Sequence, residues 1–80
     1  MHFTTHAYDR AYQRFHVKLS RKAREELSTS IEKGMFPLHT ENNRVKAWRI
    51  TFPETDIQAL ALVTKTDNTV LSFFELDYLI

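Results

Sequence analysis

Residues 44–65 read RVKAWRITFPETDIQALALVTK, and they divide into two strand-like segments around a turn. In the first segment, residues 44–52, apolar and polar side chains alternate, which predicts a strand with one buried face. The second segment, residues 57–65, is apolar on both faces in its middle, which is typical of a central strand. The tetrapeptide PETD between them has the composition of a turn. The whole stretch therefore predicts an antiparallel hairpin.

Strand-like sequence continues to the C-terminus. Residues 70–80, VLSFFELDYLI, follow a second turn, TDNT, and predict a third strand that runs to the last residue. A further short strand at residues 38–41, ahead of two asparagines, would raise the count to four. This half of the chain is therefore expected to form a three- to four-stranded antiparallel meander.

The first half of the chain has a helical period. Residues 5–15, THAYDRAYQRF, place Ala7, Tyr8, Ala11, Tyr12 and Phe15 on one face, after a capping hydroxyl from Thr4 or Thr5. Residues 20–34, SRKAREELSTSIEKG, predict a second helix that Ser20 caps and Gly34 ends in a left-handed conformation. Its apolar stripe is thin and consists of Ala23, Leu27 and Ile31. We expect an α+β fold in which two N-terminal helices pack on the sheet.

Composition narrows the class of protein. Eighty residues predict a single domain, residues 1–80, and the absence of cysteine excludes a disulfide scaffold and is typical of the cytoplasm. No apolar run reaches the roughly 18 residues that a membrane helix needs, and we expect no signal peptide ahead of the first helix. Met1 opens what we expect to be a complete small protein. One glycine cannot form a phosphate-binding loop, and we expect neither a metal nor a cofactor.

Positive charge is concentrated in the first third of a chain whose net charge is only +1. Residues 10–24 contain no acid, and a single one, Asp9, directly precedes them. They contain six basic residues: Arg10, Arg14, Lys18, Arg21, Lys22 and Arg24. Within the first helix His6, Arg10 and Arg14 form one row at a spacing of four, where like charges repel by a few tenths of a kcal/mol. A solvated helix face is one interpretation of this row, and a functional site is the other.

The functional interpretation follows from the chemistry of these side chains. His6 lies in the first helical turn beside Arg10, and both the helix dipole and the cation favour a neutral imidazole, which can accept a proton. Two guanidinium groups can bind a phosphate and stabilise charge that develops on it. A base and two cations are what metal-free RNA cleavage requires. We therefore predict His6, Arg10 and Arg14 as catalytic residues, with Lys18, Arg21, Lys22 and Arg24 binding nucleic acid.

The segment HAYDRAYQR, residues 6–14, resembles the helix opening H-A-x-x-R-x-x-x-R of small domains grouped with the RelE, barnase and colicin-type ribonuclease toxins. The resemblance implies N-terminal helices followed by an antiparallel sheet of about four strands. It also implies that His6, Arg10 and Arg14 are active-site candidates, and that Ser72 matches a strand Thr or Ser of that group. The activity that it implies is metal-independent endoribonuclease activity of toxin or mobile-element type, with an antitoxin as a partner.

Two further interpretations remain open from the sequence. A non-catalytic accessory or inhibitor protein of phage type would use the same basic face to bind a host protein or nucleic acid. A structural subunit of an oligomer would give the basic row no special role. The apolar C-terminal stretch also predicts a homodimer or a partner that buries residues 71–80, because Phe73 and Leu79 are expected to lie uncovered.

Overall fold

The sheet has five strands, and a computed structural model describes residues 1–78 of the chain. In chain order the elements are β1 (His2–Phe3), α1 (Thr5–Phe15), α2 (Arg21–Glu32), β2 (Leu38–Glu41), β3 (Val45–Thr51), β4 (Gln58–Thr64) and β5 (Thr69–Phe74). The strand order is β1-β5-β4-β3-β2, and all neighbours are antiparallel except β1 and β5. The predicted α+β class with two N-terminal helices is confirmed, and β4 is central as predicted.

The strand count was predicted too low. The additional strand, β1, has two residues and pairs in parallel with β5, His2 against Thr69 and Phe3 against Val70. Two residues are too few for alternation to be visible in a sequence. The short strand β2 forms where the fourth strand was expected and pairs antiparallel with β3. The parallel pairing of β1 with β5 makes the sheet mixed rather than purely antiparallel.

Both helices begin and end for local reasons. The Thr4 hydroxyl accepts the Ala7 N–H at 3.0 Å and caps α1, which ends where His16 adopts a left-handed φ of 56°. The Ser20 hydroxyl accepts the Ala23 N–H at 3.1 Å and caps α2. Within residues 1–78, neither helix has the length and apolar run needed to span a membrane.

Gly34 ends α2 as predicted. Its φ is +69°, and its N–H bonds to the Ile31 carbonyl at 3.1 Å while the next N–H, of Met35, bonds to the Ser30 carbonyl at 3.0 Å. This pattern closes the last turn of a helix through a left-handed residue. Glycine suits the position because it has no Cβ to oppose a positive φ.

The core lies between the helices and one face of the sheet. Ala7 and Ala11 of α1 are fully buried, which lets the helix backbone approach the sheet closely. The buried cluster is completed by Phe3, Leu27, Ile31, Ile50, Phe52, Ala59, Ala61, Val63, Val70 and Phe73. Trp48 of β3 packs against this cluster and is only partly buried. Tyr12, which was predicted on the apolar face of α1, is instead 51% exposed.

Strand β5 differs from its prediction in two ways. Leu62 pairs with Ser72 but the next residue, Val63, pairs with Val70, so Leu71 is an extra residue in a β-bulge. The bulge lets Val70 and Phe73 join the same core cluster, although strict alternation assigns them to opposite faces. The strand also ends at Phe74 rather than at the C-terminus, because a turn follows in which the Tyr78 N–H bonds to the Glu75 carbonyl at 3.0 Å.

The left-handed conformation of Gly34 gives a direct test of how α2 ends. Gly34→Ala should lower the free energy of unfolding by about 1 kcal/mol through backbone strain alone, because a Cβ at this position meets no atom within 4 Å. Gly34→Asn should cost less, since asparagine tolerates this conformation. The measurement is the urea midpoint, and Lys33→Ala, at a residue with φ −81°, is the control. A neutral Gly34→Ala would contradict the assignment.

Candidate nucleic-acid interface

The first two members of the basic row contact each other on the surface of α1. The Arg10 Nε–H donates to His6 Nε2 at 3.2 Å, and Arg10 Nη1 donates to the Gln13 side-chain oxygen at 2.6 Å. In this arrangement Arg10 donates the hydrogen bond and His6 Nε2 accepts it. Within residues 1–78 Arg10 has no carboxylate partner. Its charge is therefore not balanced by an acid, while two hydrogen-bond acceptors fix its position.

Arg14, the third member of the row, is bound to the sheet. Its Nη1 donates to the Phe73 carbonyl of β5 at 2.7 Å, and its guanidinium carbon lies 4.6 Å from the centre of the Phe74 ring. Tyr78 stacks on the same ring at a centroid distance of 4.0 Å. Arg14 is half-buried and contributes to the fold, so it does not form a pair of free guanidinium groups with Arg10.

Arg14 belongs to a set of contacts that close the outer edge of β5. The Thr4 N–H bonds to the Val70 carbonyl at 3.1 Å, and the Thr4 hydroxyl donates to the Leu71 carbonyl at 3.1 Å. With the Arg14 bond to Phe73, three carbonyl groups along this edge have partners from α1 or its cap. A sheet edge with satisfied carbonyl groups is a poor template for pairing with another chain.

Most of the predicted nucleic-acid-binding residues of α2 have local partners. Arg21 Nε lies 3.3 Å from a Glu25 carboxylate oxygen, and Lys22 Nζ lies 4.0 Å from carboxylate oxygens of Glu26 and Glu54. These pairs are exposed, so they hold the side chains only weakly. They nevertheless reduce the net positive charge of this surface.

The two remaining basic residues of the run lie against tyrosine rings. Lys18 Nζ is 5.7 Å from the centre of the Tyr12 ring, and the Arg24 guanidinium carbon is 5.1 Å from the centre of the Tyr8 ring. Arg24 Nη1 also donates to the Tyr8 hydroxyl. Exposed cation–ring contacts of this kind contribute about 0.5–1 kcal/mol each, and they leave the positive charge available to an anion.

The structure separates the predicted residues into two groups on opposite flanks of α1. Arg14, one turn after Arg10, contacts β5, whereas Tyr8 contacts Arg24 of α2. On an α-helix positions 8 and 10 lie about 160° apart. His6 and Arg10 therefore do not share a surface with Arg24, and the continuous basic face that the sequence predicts is two separate surfaces.

Two other side chains that could take part in catalysis, His16 and Ser72, lie away from the His6–Arg10 pair. His16, at the other end of α1, is ten residues from His6, which corresponds to about 15 Å along the helix. Ser72 is only 4% exposed, and its Oγ has no partner among the described residues. A single phosphodiester contacting His6 therefore does not reach His16, and the burial of Ser72 keeps it from an RNA strand at the surface.

Among residues 1–78 two carboxyl groups have altered acidity, one on β2 and one in the turn before β5. The hydrogen bond from Lys65 lowers the pKa of the Glu41 carboxyl, and the hydrogen bond from the Thr64 hydroxyl lowers the pKa of the Asp67 carboxyl. Glu41 lies on β2, at the opposite edge of the sheet from β1. Among residues 1–78 no three His, Asp or Glu side chains come together as a metal site.

Sequence reasoning missed the contacts that hold Arg10 and Arg24 in place. Gln13 fixes Arg10, and the spacing of three residues on one helix face is a signal that could have indicated the contact. Tyr8 supports Arg24 from 16 residues away, and no local pattern reveals a contact of that kind.

No family model, curated protein or solved structure matches the chain.

The structural role of Arg14 can be separated from that of Arg10 by stability measurements. Arg14→Ala should lower the free energy of unfolding by about 1–3 kcal/mol, because it leaves the Phe73 carbonyl without its partner. Arg10→Ala is the matched control and should change stability by less than about 0.5 kcal/mol, since among residues 1–78 Arg10 bonds only to side chains of its own helix. Urea unfolding measures both. Equal effects of the two substitutions would contradict the division of the row.

Proposed function

We propose that this protein binds RNA through the His6–Arg10 pair on the exposed flank of α1. The observation that carries the proposal is the hydrogen bonding of Arg10, whose guanidinium is held by His6 and Gln13 without any carboxylate among residues 1–78. A guanidinium that keeps its charge and is already positioned loses little side-chain entropy when it binds a phosphate. Phosphate contacts of this kind supply most of the affinity of proteins for nucleic acids.

The neighbouring imidazole favours RNA over DNA as the ligand. A phosphate bound to Arg10 would replace its bond to His6, while Gln13 continues to hold the guanidinium, and His6 Nε2 would then be free as an acceptor. The group beside a phosphate that can donate to such an acceptor in RNA is the ribose 2′-hydroxyl, which DNA lacks. The order of elements, two helices and then a largely antiparallel sheet, agrees with the architecture implied by the resemblance to ribonuclease toxins.

The same geometry supports metal-independent endoribonuclease activity of toxin or mobile-element type. His6 Nε2 would remove the proton from the 2′-hydroxyl, and the 2′-oxygen would attack the adjacent phosphorus. Arg10 would stabilise the charge on the phosphorane. The P–O5′ bond breaks, the leaving 5′-oxygen takes a proton from water, and the products carry a 2′,3′-cyclic phosphate and a 5′-hydroxyl.

A second candidate function is non-catalytic binding to a nucleic acid or a host protein, as in a phage accessory or inhibitor protein. The observation that favours it is the bond between Arg14 and the Phe73 carbonyl, which leaves one cation rather than two beside His6. A binding protein needs the positioned charge of Arg10 and no acid–base pair.

An antitoxin is the partner under the first candidate, and a host protein is the partner under the second. The cytoplasm is the compartment we propose for both.

The homodimer through the C-terminal strand stays a prediction. It depended on Phe73 and Leu79 being uncovered, but Phe73 is fully buried and Leu79 lies outside the described residues. Tyr78, which is 43% exposed, is the remaining apolar candidate for such a contact. Sedimentation of the intact protein over a range of concentrations tests it, and a monomer throughout would reject it.

Binding to RNA tests the main proposal. Arg10→Ala should weaken binding of a labelled single-stranded RNA by roughly five- to tenfold and reduce the salt slope by about 0.7, the value for one phosphate contact. Fluorescence anisotropy at several salt concentrations measures both quantities. Arg49→Ala is the matched control, since Arg49 is an exposed arginine on β3 and its change should leave the affinity within about twofold. Equal losses in the two variants would indicate non-specific charge attraction.

Cleavage in the presence of EDTA separates the two candidates. The wild-type enzyme should produce 2′,3′-cyclic phosphate ends, and His6→Ala should slow the reaction by about 10²–10⁴-fold while RNA affinity stays nearly constant. His39→Ala, an exposed histidine of β2, is the control. RNA that is bound but remains intact with the wild-type protein would reject the endoribonuclease and support the binding protein.

A further inference from the structure

A second surface of the molecule has the chemistry of an anion site. A groove of about 600 Å³ runs between β1 and the first two turns of α2, on the flank of α1 opposite Arg10. The side chains that carry its chemistry are Arg24, Ser28 and Thr29, with His2 on the β1 side and the paired Arg21 and Glu25 beside them. Positions 21, 24, 25 and 28 share one face of a helix, so α2 presents these groups together.

Arg24 is held in the groove by a stack of planar groups that begins in the core. The Phe73 and Phe3 ring centres are 6.5 Å apart, the Phe3 and Tyr8 ring centres are 6.2 Å apart, and the Arg24 guanidinium follows 5.1 Å from Tyr8. Arg24 also donates to the Tyr8 hydroxyl and, through Nε at 3.4 Å, to the Ser20 carbonyl. Its position is therefore determined by the packing of the core.

The charge of Arg24 is uncompensated in this position. Its hydrogen-bond acceptors are a hydroxyl and a carbonyl, and within residues 1–78 it has no carboxylate partner. The one acid that lines the groove, Glu25, is paired with Arg21. The groove thus offers a fixed guanidinium with further N–H donors, two hydroxyl groups one turn away, and a net positive charge.

We propose that this groove is a phosphate-binding site that contacts an RNA strand independently of the His6–Arg10 pair. A phosphate suits it because several N–H and O–H donors line the same groove and a phosphate has several acceptor oxygens. Arg24 carries the charge, and Ser28 and Thr29 donate from their hydroxyl groups. The assignment of the phosphate to RNA rests on the proposed function, whereas the site itself does not.

The test is an NMR titration of the isotope-labelled protein with three probes: inorganic phosphate, adenosine 5′-monophosphate and a single-stranded RNA decamer. We expect the RNA to shift the backbone amides of residues 24, 28 and 29 and the Arg24 Nε–H. Arg24→Gln should weaken RNA binding by roughly fivefold and reduce the salt slope by about 0.7. Ser28→Ala, which leaves the Tyr8–Arg24 stack intact, should weaken it about two- to threefold. Lys33→Ala, beyond the end of α2, is the control.

Each outcome bears on a separate claim. If the groove signals shift in an Arg10→Ala protein as they do in the wild type, the second site is independent as proposed. If RNA binds and shifts His6 and Arg10 but leaves residues 24, 28 and 29 unchanged, the groove proposal is overturned and the proposed function stands. If only the two small probes shift the groove, the phosphate site is supported and RNA is rejected as its ligand. A groove that responds to none of the three probes overturns the proposal.

Discussion

The closure of the outer edge of β5 by β1, the Thr4 cap and α1 is the constraint on which the rest of the structure depends. A backbone carbonyl at a sheet edge must find a donor, and here Thr4 and Arg14 supply donors to Val70, Leu71 and Phe73. The same helix buries Ala7 and Ala11 against the sheet, and their small side chains allow the close approach that these bonds need. One helix with its cap therefore both covers the core and bonds to the edge of β5. This dual role matters in a small domain, because such a domain buries a limited share of its surface.

This closure also explains why the row of basic residues is divided. Residues four apart lie on one side of a helix, so a helix that packs with its Arg14 end against β5 brings Arg14 to the strand while His6 and Arg10 stay at the surface. The like charges are separated by their partners, since Arg14 bonds to a carbonyl and Arg10 bonds to an imidazole and an amide. The row thus consists of Arg14, which stabilises the fold, and the His6–Arg10 pair, which stays on the surface of α1.

The parts of the fold that were predicted correctly are those that depend on neighbouring residues. The bounds of α1, the Ser20 cap, the left-handed Gly34 and the central position of β4 follow from periodicity and capping. The bulge at Leu71, the two-residue strand β1 and the Arg14–Phe73 bond depend on contacts between distant parts of the chain, and no local pattern encodes them. The spacing placed His6 beside Arg10, but the hydrogen bond between them was not predicted, because the row was expected to be repulsive. The two separate basic surfaces depend on α2 and β5 lying on opposite sides of α1, which no local pattern encodes.

The central claim, that Arg14 is fixed against β5, is tested most directly by the side-chain NMR signals of the arginines. A guanidinium that donates to a carbonyl and packs on a ring rotates slowly about its Nε–Cζ bond, so its two Nη groups give separate signals. We predict separate, temperature-stable Nη signals for Arg14 at a temperature where the exposed Arg49 gives one averaged signal. A single averaged Arg14 signal, equivalent to that of Arg49, would contradict the account.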